Sequence, residues 1–169
     1  MRVGDVVVKE IHTVHIYTVA DELNVARTTV QSVLDEFVSV VRGLIKEGYE
    51  IKFEDLASIK PVISDKKCLP TMGYICKQIS DNIGVPYFTS YSIVCSYLNA
   101  VREEILNGRS VDIRKLVSFH VIFTEGDQYK VNCCLSSTVR KDLQELPVPN
   151  KARVSFNSGL RHALKEGFD

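Results

Sequence analysis

Two long stretches of the chain place apolar side chains at a helical period. Val30, Val33, Leu34, Phe37, Val38, Val41, Leu44 and Ile45 fall on one helix face, as do Ile93, Val94, Tyr97, Leu98, Val101 and Ile105. Each stretch predicts a long amphipathic helix, the first of about twenty residues, and each follows a shorter helical segment, Thr18–Leu23 or Lys77–Ile83. The short segments end at Asn24 and Gly84, residue types that take left-handed backbone at low cost. The long ones end at Gly48 and Gly108, after which the period falls to two, in Tyr49–Phe53 and Ser110–Ile113. Leu56 and Ile59, and likewise Leu116 and Phe119, lead into a second strand.

The two halves are an internal repeat. Laid over itself at an offset of 60, the chain matches without gaps from Ile16–Ile59 onto Cys76–Phe119, with Asp21/Asp81, Val25/Val85, Thr29/Thr89, Ser32/Ser92, Val41/Val101, Arg42/Arg102, Ile45/Ile105 and Gly48/Gly108 among the identities. Each unit reads short helix, long helix, β-hairpin. Lys66–Gly73 marks the boundary and divides the chain into residues 1–69 and 70–169. In the second unit Val121–Thr124 and Tyr129–Leu135 predict a further hairpin, with Glu125, Gly126 and Asp127 at its tip as a candidate interaction point. In the first unit Lys60–Lys67 moves on with no return strand evident. The tail predicts a helix over Ser137–Leu146, a stiff Pro147–Pro149 segment and a helix over Ser158–Lys165. Val6–Val8 is a candidate extra strand.

Composition narrows the functional classes. At 45% hydrophobic and 25% charged residues, the 169-residue chain is expected to fold, and it has 21 basic against 21 acidic side chains. It therefore lacks the surplus of Lys and Arg with which nucleic-acid binders displace counterions. With no apolar run near the roughly 20 residues that span a bilayer and no basic start before an apolar stretch, an untargeted protein is expected. Cys68, Cys76, Cys95, Cys133 and Cys134 are odd in number and form no CxxC, so reduced thiols acting as small apolar groups are expected. His12 and His15 lack a third ligand nearby, and His120 reads as a core-edge or packing residue. In the absence of a phosphate loop, nucleophile elbow or HExxH, no metal, cofactor or enzymatic activity is expected.

The repeat resembles the bacterial histone-like HU/IHF family, present twice. The residues that carry the likeness are Gly48, Ile51, Phe53, Leu56, Ser58 and Ile59, repeated as Gly108, Val111, Ile113, Leu116, Ser118 and Phe119. The stretch from Ala152 through Phe156, Gly159 and Leu160 to Lys165 is similar to the family's closing segment. The resemblance implies an α+β fold of two units, each a helix pair plus β-hairpin, packed as an intrachain pseudo-dimer. It also implies duplex DNA as the family's ligand, held by long basic arms with a proline at the tip. Here the arm of the second unit is short and acidic, Phe123–Tyr129, and Asp55–Ala57 and Lys115–Val117 replace the family's Gly-Phe-Gly. Armless relatives of this fold occur in phage particles. The expectation is therefore an architectural protein of a virion or host cytoplasm, acting on other structural proteins in a ring or tube, with neither membrane nor small-molecule substrate.

Two DNA-binding alternatives stand beside this expectation. Thr18–Val30 has the look of a helix-turn-helix that places Arg27, Thr28 and Thr29 at a recognition-helix start; the structural alternative is a helix–helix core with a threonine cap. The second alternative uses Arg114, Lys115, Lys151 and Arg153 as phosphate contacts, provided that they converge on one face.

Overall fold

A computed structural model describes residues 6–7, 14–63, 70–124 and 128–167. The expected hairpin tip, Glu125, Gly126 and Asp127, lies outside the described residues, as does Cys68. The fold is mixed α+β, with six described helices and two small antiparallel sheets. Strand β1 (Val6–Val7) precedes the helix pair α1 (Ile16–Leu23) and α2 (Arg27–Lys46) and the hairpin β2 (Ile51–Phe53) and β3 (Ala57–Pro61). The series then recurs as α3 (Met72–Ile83), α4 (Tyr87–Leu106), β4 (Val111–Ile113) and β5 (Val117–Thr124). It continues through β6 (Gln128–Leu135), α5 (Ser137–Gln144), β7 (Ala152–Phe156) and α6 (Ser158–Gly167).

The repeat read from the sequence recurs in detail. Both long helices have 20 residues. The short helices close on left-handed residues, Asn24 at φ 54° and Gly84 at φ 75°. Gly48 and Gly108, also at positive φ, turn each long helix toward its first strand. One expectation about the helices is corrected. No threonine caps α2: its N-cap is Ala26, with no side-chain cap bond, because the helix starts at Arg27 and so takes Thr28 and Thr29 into its first turn. His120 stands opposite Asn132 on β5 and β6 and is half-buried there.

The first hairpin does have a return strand, and it comes from the end of the chain. β7 pairs antiparallel with β3, from Ala57↔Phe156 to Pro61↔Ala152. In the other sheet β6 pairs with β5 from Val117↔Leu135, the equivalent register. β4 and β1 share the other edge of β5, β1 pairing Val6 with Phe123. The helices that follow match as well. Ser136 N–H donates to the Leu116 carbonyl (2.9 Å) and Asn157 N–H to the Leu56 carbonyl (3.0 Å). The Ser136 side chain accepts from Val139 N–H, and that of Asn157 from Leu160 N–H. The elements α3 to α5 are thus inserted between β3 and β7, and the β3–β7 pairing crosses the division expected near residue 70.

The helices bury one shared core. α1 touches α2 and α4, α3 touches α4 and α2, and the closing helices cross over, α5 onto α2 and α6 onto α4. Phe37 and Tyr97, equivalent positions on α2 and α4, are both buried. Tyr97 alone has a hydroxyl, which accepts from Arg114 N–H (3.2 Å) and donates to the Asp112 carbonyl (3.5 Å).

Two stability predictions follow from this architecture. Ending the chain at Asn150 leaves β3 as an open edge, so hydrogen exchange along Ala57–Lys60 is expected to lose its protection while β5 and β6 keep theirs. Tyr97→Phe, the residue of the first half, leaves Arg114 N–H without its partner and is expected to cost about 1–3 kcal/mol in urea unfolding.

Candidate functional site

Polar contacts between the halves come in reciprocal pairs. Ser96 on α4 donates to Glu22 on α1 (2.8 Å), and Asn82 on α3 donates to Glu36 on α2 (2.9 Å), the same two positions with the halves exchanged. Arg114, in the β4–β5 turn, pairs with Asp35 on α2 (3.0 Å). At the equivalent place Cys95 on α4 donates to Glu54 in the β2–β3 turn (3.6 Å). Such exchange of roles is the mark of an isologous contact. Desolvation, with Glu54 next in weight, pushes the Cys95 thiol up to about 11, so it stays protonated at neutral pH.

Each of these turns faces a long helix across a groove, with opposite charge in the two halves. Arg114 and Lys115 look onto Asp35 and Arg42 across about 340 Å³. Glu54 and Asp55 look onto Cys95 and Arg102 across about 50 Å³. Arg42 is itself engaged: Nε and Nη2 donate to the two carboxylate oxygens of Asp142 on α5 at 2.8 and 2.9 Å. This fork holds Asp142 below its ordinary value of 3.8.

The expected phosphate contacts are not brought to one place. Arg114 and Lys115 sit in the turn against α2, and Arg114 is paired with Asp35. Lys151 and Arg153 lie in the other sheet, on or beside β7. There a different set gathers, which the sequence reading missed. Arg153 stands directly opposite Lys60, and the alternation of strands puts Lys52 and Lys151 on the same exposed face. The signal was the spacing of Lys52 and Lys60 on two strands of one hairpin, and it needed the β7 register to become a patch.

Arg27, Thr28 and Thr29 lie in the first turn of α2, and Thr29 is half-buried. The Arg27 guanidinium lies over the Tyr17 ring, 4.0 Å from its centroid. Tyr17, Arg27, Thr28 and Gln31 line a groove of about 510 Å³ at this end of α1 and α2. In the second half, Tyr87, Phe88 and Tyr91 occupy the positions of Arg27, Thr28 and Gln31, and Phe88 is 82% exposed.

Among the described residues no group of three His, Cys, Asp or Glu side chains is placed to hold a metal ion. No described helix is long and apolar enough to cross a membrane. No protein-family model matches the chain, and no curated protein matches it.

The Arg42–Asp142 fork sets a pH-dependent prediction. Because the folded Asp142 value lies below 3.8, the stability it contributes is present above that pH and is lost as pH falls through the lowered folded value. Arg42→Ala is expected to cost about 1 kcal/mol at neutral pH, less than a fully buried pair because Arg42 is partly solvated, and to cost little once Asp142 is protonated. Urea unfolding of both proteins at neutral pH and in strong acid measures the difference.

Proposed function

We propose that this chain is a non-enzymatic architectural protein of the histone-like fold class, two interlocked units in one chain, working through protein–protein contacts as a component of a phage particle. The observation that carries the reading is where the charge and the apolar surface lie. Arg114 is paired with Asp35 and Arg42 with Asp142, both between elements of this chain, while Phe88 and its neighbouring tyrosines face solvent. Large exposed aromatic groups mark protein contact surfaces more than phosphate-binding ones. Two helix pairs, two three-strand ladders of equivalent register and two crossed closing helices support the pseudo-dimer that the resemblance implies. The partners are other structural proteins, in a virion or host cytoplasm.

Duplex DNA binding is the second reading, and one observation favours it. Lys60 and Arg153 face each other across a ladder, beside Lys52 and Lys151, with no ion-pair partner among the described residues. Like charges directly opposite destabilise a sheet, and a phosphate backbone would relieve them.

Electrophoretic shift with duplex DNA at 50 and 200 mM salt separates the readings. The architectural reading expects no complex at either salt at micromolar protein. Tight binding that collapses at the higher salt, and is abolished in Lys60→Glu/Arg153→Glu, would overturn it.

A further inference from the structure

The outer ends of the two helix pairs are equivalent in position and opposite in character. In the second half the Tyr87 ring lies 5.6 Å from Phe88 and 6.0 Å from Tyr91, centroid to centroid. Gly73, at the start of α3, lies against the Tyr87 hydroxyl, and the neighbouring Tyr74 adds a ring that is 48% exposed. These side chains form an aromatic knob, with exposed Lys77 one turn further along α3. Burial would recover the free energy of removing these apolar rings from water, a gain that the fold of one chain leaves unused. In the first half Arg27, Thr28 and Gln31, at the positions of Tyr87, Phe88 and Tyr91, line the groove of about 510 Å³ together with Tyr17, which covers one face of the Arg27 guanidinium.

The geometry points to head-to-tail self-association, in which the Phe88 knob of one copy of this chain seats in the Tyr17–Arg27 groove of the next. The second copy is the occupant because one surface offers a cation and the other offers aromatic faces. The knob offers aromatic faces, whose quadrupole attracts a cation, and the groove offers a guanidinium already stacked on one ring. A planar guanidinium stacks on aromatic faces, so the face of Arg27 away from Tyr17 is suited to Phe88. A groove of this size lies in the range that encloses small organic ligands and has room for an aromatic side chain. Knob and groove are different surfaces of one chain, so the contact is heterologous. Each contact between two copies uses one knob and one groove and leaves one of each open on the pair, which produces a closed ring or a continuing filament. This inference rests on the architectural reading and names the chain itself as a partner.

Sedimentation velocity tests it on the full chain, with wild type, Phe88→Ser and Arg27→Glu compared between about 1 and 100 μM. Wild type is expected to form oligomers that grow with concentration, and each variant is expected to sediment as a monomer with an unchanged far-ultraviolet spectrum, since both side chains are exposed. An equimolar mixture of the two variants is the sharper test. The knob of Arg27→Glu fits the groove of Phe88→Ser, so the mixture is expected to give a one-to-one dimer that grows no further. Wild-type monomer throughout the range overturns the inference, as does a mixture that stays monomeric. Undiminished association of Arg27→Glu alone also overturns it, because knob would then be meeting knob. A wild-type monomer that fails to bind duplex DNA removes self-association and leaves the architectural reading. Steep salt-dependent DNA binding removes that reading whatever the sedimentation shows.

Discussion

The pairing of β3 with β7 is the constraint on which the rest of the structure depends. It brings Ala152 to Pro61 and so closes a large loop that contains the whole second helix–hairpin series. Closing such a loop costs entropy that grows only slowly with its length, so a long insertion here is thermodynamically tolerable. Once β7 is in place, Asn157 N–H reaches the Leu56 carbonyl and α6 starts on the side where α4 lies. α5 takes the corresponding course onto α2. Each half is thus covered by the closing helix of the other, and neither set of helices has a complete core by itself.

The reciprocal contacts explain why the two halves differ where they meet. If two first halves paired, Asp35 would face Glu54, and two carboxylates would be brought together. If two second halves paired, Arg114 would face Cys95 and lose its carboxylate. In the observed pairing Asp35 meets Arg114 and Cys95 meets Glu54. The exchange of sign between the turns therefore favours unlike halves over like ones, through a repulsive element as well as an attractive one. The apolar stripes, which are nearly interchangeable, do not discriminate in this way.

What was legible in the sequence were the features that local chemistry determines. The stripes from Val30 to Ile45 and from Ile93 to Ile105, the left-handed closures at Asn24 and Gly84, and the glycines that start each hairpin all act within a turn or two of themselves. The partner of β3 was not legible. The half-buried alternation of Ala152–Phe156 suits the edge of any sheet, and only register and closure select β3. The site divided along the same line. Arg27 and Thr28 could be read as an exposed helix start, but the salt bridge of Arg114 to distant Asp35 has no spacing that announces it. The aromatic cluster was not legible, because a single aromatic in a sequence does not show that Tyr87, Phe88 and Tyr91 stand beside one another.

Strand order also bears on how the chain is made. During synthesis β5, β6 and α5 emerge in sequence, so the second sheet and its closing helix are available before β7 exists. The first hairpin, although made before these elements, keeps β3 with an unpaired edge until β7 has been made. The two halves are thus completed together, since β7 supplies the missing edge of β3 and α6, which follows it, covers α4.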